Sequence, residues 1–131
     1  MLTDGKNDLE VQMTEQAAAS IKFKIPANAK AGRFSFEFRH ASWFNEQIYD
    51  VLRQTNAALC LAENEKLETP NVVTADFCYY RLRKPEYSTE ERQRYKETFR
   101  RRVEQGHDVF VYFKHEETPE GAFYAEEMLS D

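Results

Sequence analysis

Three groups of residues in this chain have side chains suited to chemistry on an anion. Glu37, Arg39 and His40 lie in Phe34-Ser-Phe-Glu-Phe-Arg-His-Ala-Ser-Trp-Phe44. Arg81 and Arg83 lie in Phe77-Cys-Tyr-Tyr-Arg-Leu-Arg83, and Lys114 and His115 follow Asp108-Val-Phe-Val-Tyr-Phe113. In an extended strand, Glu37 and Arg39 share a face about 7 Å apart. A carboxylate there can act as a general base, with a guanidinium beside it to hold an anion. On this reading Glu37 and His40 are the catalytic candidates, and Arg39, Arg81, Arg83, Lys114 and His115 the anion-binding ones. An internal ion-pair network of Glu37 with Arg39 and Arg81 fits the same residues, because buried charges need partners.

His40, His115, Glu37 and Glu116 are of metal-ligating type. They lack the His-x-x-x-His and His-Glu-x-x-His spacings, so no metal and no cofactor is expected. The four glycines, at positions 5, 32, 106 and 121, form neither a dinucleotide-binding loop nor a P-loop. There is no Gly-x-Ser-x-Gly elbow. Nicotinamide chemistry, P-loop nucleotide hydrolysis and serine hydrolysis are therefore disfavoured.

The elements that must position these groups follow from periodicity. Phe34, Phe36 and Phe38 alternate with Ser35, Glu37 and Arg39, which predicts a strand with one apolar and one charged face. Asn45 to Gln54 reads as a helix with Ile48, Val51 and Leu52 inward. Ala58-Leu-Cys-Leu-Ala62 reads as a strand covered on both faces. Residues 63–74 read as a loop and 77–83 as a strand. Ser88-Thr-Glu-Glu91 is a capping box opening a helix to about Glu104, with Gly106 just beyond its end. Residues 108–113 form another strand. Thr118-Pro119 then opens a last helix, with Pro at its first position. Loops after the last strands, together with that helix N-terminus, suit a phosphate or another oxyanion.

Upstream, Asn7-Asp-Leu-Glu10 opens a predicted helix over about residues 8–19. Ile21-Lys-Phe-Lys-Ile25 then alternates as a fifth strand. The eight residues 26–33 are too few for a parallel crossover. That strand is therefore expected to form a hairpin, to sit elsewhere, or to pair with another chain. The domain reading is an N-terminal helical extension over 1–20 and one α/β domain over 21–131.

Composition fits a globular domain, with 41% hydrophobic and 14% aromatic residues in 131. The net charge of −5 argues against general nucleic-acid affinity and an anionic membrane surface. No apolar run approaches a membrane span, and the polar N-terminus has no secretory h-region. Cys60 and Cys78 have no metal spacing and read as buried, reduced thiols, so a cytoplasmic location is expected.

Several segments in order carry a family resemblance. They are Glu37-Phe-Arg-His-Ala-Ser-Trp43, Ala58-Leu-Cys-Leu-Ala62, Val73-Thr-Ala-Asp-Phe77, Tyr80-Arg-Leu-Arg83 and Val109-Phe-Val-Tyr-Phe113. Together they resemble the C-terminal half of the YecE-like proteins, domain-of-unknown-function family 72. The resemblance implies a TIM-barrel fold and no established reaction. A full barrel takes about 250 residues, so the expected fold is a half-barrel of about five mostly parallel strands, completed or covered by dimerisation. Arg83-Lys84-Pro85 and Lys114-His115 replace the His-Gly and paired Asn that many members carry. The function expected is a self-associating, anion-binding domain with an incomplete catalytic site, a homodimer taking a small anionic or phosphorylated ligand. The alternative is a small hydrolase- or lyase-type enzyme acting on an anionic metabolite at the C-terminal face of the strands.

Overall fold

A computed structural model describes residues 32–114 and 119–130. The expected helix at 8–19, the strand at 21–25, His115 and Thr118 lie outside the described residues. Those described form an α/β unit. It runs β1 (Ser35–Phe36), a 3-10 turn (Ala41–Trp43), α1 (Glu46–Gln54), β2 (Ala58–Glu63), β3 (Phe77–Leu82), α2 (Thr89–Glu104), β4 (Asp108–Phe113) and α3 (Glu120–Leu129). The strands pair in parallel in the order β1-β2-β3-β4. Parallel strands in sequential order, with helices after β1 and β3 and a loop after β2, give the α/β fold that the periodicity implied and the partial barrel that the resemblance implied.

Local signals account for most boundaries. The Asn45 side chain accepts from the Ile48 N–H at 3.1 Å and caps α1. Ser88 and Glu91 close both halves of the capping box on α2. Helices α1 and α2 end alike. The Ala57 N–H donates to Leu52 O at 2.9 Å and the Asn56 N–H to Arg53 O at 3.2 Å. The His107 N–H donates to Arg102 O and the Gly106 N–H to Val103 O in the same pattern. Asn56 and Gly106 take the left-handed conformation this ending needs, at φ 51° and φ 90°. Each ending leads directly into a strand, so helix termination sets where β2 and β4 begin.

Three expectations are adjusted. The strand expected over 34–39 makes a ladder only at Ser35–Phe36. Beyond it the chain leaves the sheet for the 3-10 turn, and Phe38 stacks on Trp43 with centroids 4.4 Å apart. On α1 the buried stripe is Ile48, Tyr49 and Leu52, while Val51 is only partly covered. Pro119 stands at the cap of α3 with helical dihedrals, one position before the first helical residue.

The core lies between the sheet and its helices. Leu59, Leu61, Cys78, Tyr80 and Leu82 project to that side and meet Ile48, Leu52 and Phe99. At its polar end Glu63 accepts from the Tyr95 hydroxyl and pairs with Lys84 at 3.3 Å, and Lys84 also pairs with Glu91. This links the ends of β2 and β3 to the start of α2. In the 63–74 loop, the Thr74 hydroxyl donates to Ala57 O at 2.7 Å and accepts from the Leu59 N–H at 2.9 Å.

The Ser88 cap supplies a direct test. Ser88→Ala should lower stability by about 1 kcal/mol and Ser88→Asp should retain it. Urea unfolding at constant slope measures both.

Candidate functional site

The other face of the sheet carries the charged groups. Side chains alternate along a strand, so Arg33, Ser35 and Glu37 share that face with Cys60, with Phe77, Tyr79 and Arg81, and with Phe110 and Tyr112. They line one open depression of about 450 Å³. Strand β2 is buried along its whole length. Helix packing covers one side of it. On the other its residues are small (Ala58, Cys60 and Ala62), so side chains from the flanking strands close over it.

The Glu37–Arg81 contact spans that gap. Arg81 Nη1 donates to Glu37 Oε2 at 2.6 Å, joining β3 to the chain leaving β1 across β2. The other carboxylate oxygen, Oε1, faces Arg83 Nη2 at 3.7 Å and Arg39 Nε at 3.8 Å. Three guanidiniums thus converge on one carboxylate at the C-terminal ends of the strands. Burial works against the Arg81 charge. Its hydrogen bond and Coulombic attraction to Glu37 outweigh that and hold its pKa above the ordinary arginine value. The cluster is partly open, with the Glu37 side chain 15% exposed and Arg39 33%.

Of the residues singled out from sequence, Glu37, Arg39, Arg81 and Arg83 come together. His40 turns to its own loop. Its Nδ1 accepts from the Ser42 N–H at 3.2 Å, capping the 3-10 turn, and lies 2.8 Å from Ser42 Oγ. With Nδ1 accepting, the neutral ring carries its proton on Nε2. The Lys114 N–H donates to Leu82 O at 2.8 Å, so its backbone adjoins Arg83 while its side chain is exposed. Among the described residues no group of three or more His, Cys, Asp or Glu could hold a metal ion.

Cys60 is a free, buried thiol, as expected. Two features went unread in the sequence. One is the setting of that thiol, whose Sγ lies 4.0 Å from Glu37 Oε2. Burial, then the negative charge of Glu37, pushes its thiol from 9.0 up to about 12. The other is the aromatic lining. Tyr79 and Tyr112 pack at 5.2 Å and Phe77 and Phe110 edge-on at 6.2 Å. The Arg33 guanidinium lies over both phenyl rings and pairs with Asp108 at 2.7 Å. The signal was available: Phe77 and Tyr79 share the parity of Arg81.

The thiol gives a pH prediction. Its folded-state value lies above the unfolded one. The stability it contributes is therefore complete below about pH 9 and is lost as pH rises toward about 12. Native Cys60 should resist iodoacetamide at mildly alkaline pH, while the urea-unfolded chain is alkylated. Peptide mass spectrometry reads the difference, and rapid labelling of the native protein would contradict the buried placement.

A family model described as "Protein of unknown function DUF72" matches residues 9–131. No curated protein matches the chain. The structure resembles a DUF72 family protein from Thermotoga maritima at TM-score 0.66 and 22% identity, covering 75% of this chain and 45% of that one. It also resembles a DUF72 family protein from Enterococcus faecalis at TM-score 0.64 and 16% identity, covering 76% and 48%. The chain thus spans about half the length of these solved relatives, and the likeness to them is one of fold.

Proposed function

The chain belongs to the DUF72 family of proteins of unknown function, and from that premise we propose that it is an anion-binding, self-associating half-barrel domain. One observation carries the reading: Arg39, Arg81 and Arg83 converge on the single carboxylate of Glu37 at the C-terminal ends of parallel strands. Guanidiniums present paired N–H donors that match carboxylate and phosphate oxygens. Donors grouped in this way suit a small phosphorylated or carboxylated ligand. Lys114, next to Arg83 across the β3–β4 ladder, extends the basic rim.

Glu37 as a general base draws less support, because Oε2 is already engaged by Arg81. His40 likewise uses Nδ1 to cap its turn. Self-association is supported by the aromatic inner face, where Phe110 and Tyr112 remain 38% and 49% exposed. Among the described residues no helix is long and apolar enough to cross a membrane. The free, buried thiols of Cys60 and Cys78 suit a reducing compartment, so a cytoplasmic location is part of the same proposal.

Titration with inorganic phosphate, followed by melting temperature and calorimetry, tests the reading. Saturating phosphate should stabilise the fold, by about 2.7 kcal/mol at a hundred times the dissociation constant. The effect should weaken as salt rises. Arg81→Gln or Arg83→Gln should reduce affinity about tenfold or more. Glu37→Gln should tighten binding, since it removes the anion that competes with the ligand. Phosphate affinity unchanged in both arginine variants would rule out this cluster as the site.

A further inference from the structure

Strand β4 ends the described sheet, and the groups on its open side can be identified. The Lys114 N–H bonds to Leu82 O, and Tyr112 is the ladder partner of Arg81. In a parallel pair, alternate residues direct both backbone groups to one neighbour. Phe110, Tyr112 and Lys114 therefore bond toward β3, and Val109 and Val111 point their N–H and C=O groups to the open edge, as does the N–H of Phe113, whose carbonyl lies against Gly121 of α3. Among the described residues no strand receives them. Such an edge is a template for another strand.

The side chains along this edge are self-complementary about Val111. With a second β4 laid antiparallel and Val111 on the two-fold axis, Val111 faces its own copy and Val109 faces Phe113. Phe110 then faces Tyr112, and Asp108 faces Lys114. Each outward-pointing residue falls in a hydrogen-bonded pair, centred on Val111. Opposite charges meet at both ends, and aromatic rings meet on the inner face. Asp108 keeps its bond to Arg33 and has a second oxygen and 66% side-chain exposure to offer. Beside the strand, on the helix side, an apolar groove of about 700 Å³ carries Val103 and Leu129, which are 59% and 88% exposed.

We propose that β4 is the self-association surface, and that its occupant is β4 of a second copy, paired antiparallel with Val111 on the two-fold axis. This rests on the self-association reading but differs from a stacking of two inner faces. It joins the two sheets edge to edge and keeps both arginine clusters on one side.

Sedimentation equilibrium on the full 131-residue chain tests it with two kinds of variant. Val111→Pro removes an N–H that faces outward and leaves the ladder to β3 intact, a position where an edge strand accepts proline. The far-ultraviolet circular dichroism should be unchanged, and the dimer dissociation constant should rise about tenfold or more. Lys114→Asp should also weaken the dimer, and adding Asp108→Lys together with Arg33→Glu, which keeps the 33–108 pair with its signs exchanged, should restore it, because the pair between copies is re-formed. That rescue decides the matter if Val111→Pro does not fold. A wild-type chain that stays monomeric at high concentration overturns self-association altogether. A dimer untouched by Val111→Pro, or one that the charge exchange fails to restore, overturns the β4 pairing alone.

Discussion

The reach of one carboxylate across a strand of small residues organises the inner face. Strands in a sheet lie about 4.8 Å apart, so β1 and β3 stand nearly 10 Å from each other. A side chain from one can meet a side chain from the other only if β2 puts nothing bulky between them. Ala58, Cys60 and Ala62 meet that condition, and Glu37 Oε2 and Arg81 Nη1 close to 2.6 Å. The same contact explains how β2 is buried throughout although helices cover only its other face. It also explains why the Cys60 thiol resists ionisation: it lies beneath a carboxylate and away from water. A larger side chain at position 60 would push Glu37 aside and leave three guanidiniums without their shared counter-ion.

Much of this was legible because its causes are local. A capping box, an Asn cap and a left-handed residue after a helix act within a few residues, so α1, α2, β2 and β4 begin where their sequences say. The faces were legible too, since parity along a strand follows from backbone geometry alone. What escaped depends on contacts distant in sequence. The early end of β1 comes from Phe38 and Trp43 stacking beyond it. Tyr49 is buried where Val51 is not, because the packed stripe of α1 is set by the strands beneath it. The Glu63, Lys84, Glu91 and Tyr95 network joins residues up to 32 positions apart, and no spacing rule connects them.

The candidate site divides along the same line. Glu37, Arg39, Arg81 and Arg83 were readable as one group because each lies at a strand end with the right parity. His40 was grouped with them by nearness in sequence. One residue after Arg39 the chain turns, and a histidine at the start of a 3-10 turn meets the N–H of Ser42 first. Sequence proximity to a site is therefore weaker evidence than parity and position on the strand. The solved relatives share the fold at 22% and 16% identity over about half their length. The cluster's chemistry has to be argued from its own geometry.

The arginine cluster and the β4 edge are not independent surfaces. Tyr112 packs against Tyr79 at 5.2 Å, and Tyr79 shares the inner face of β3 with Arg81. The proposed pairing about Val111 would set Phe110 of a second copy against Tyr112 and so extend the aromatic wall beside the cluster. That wall would lower the local dielectric around the guanidiniums, where an anion's hydrogen bonds would be stronger than in water. A ligand held by Arg81 would in turn favour the arrangement of Tyr79 and Tyr112 on which the partner packs. Were both events to occur, linkage would give them one coupling free energy, and each would strengthen the other to the same degree.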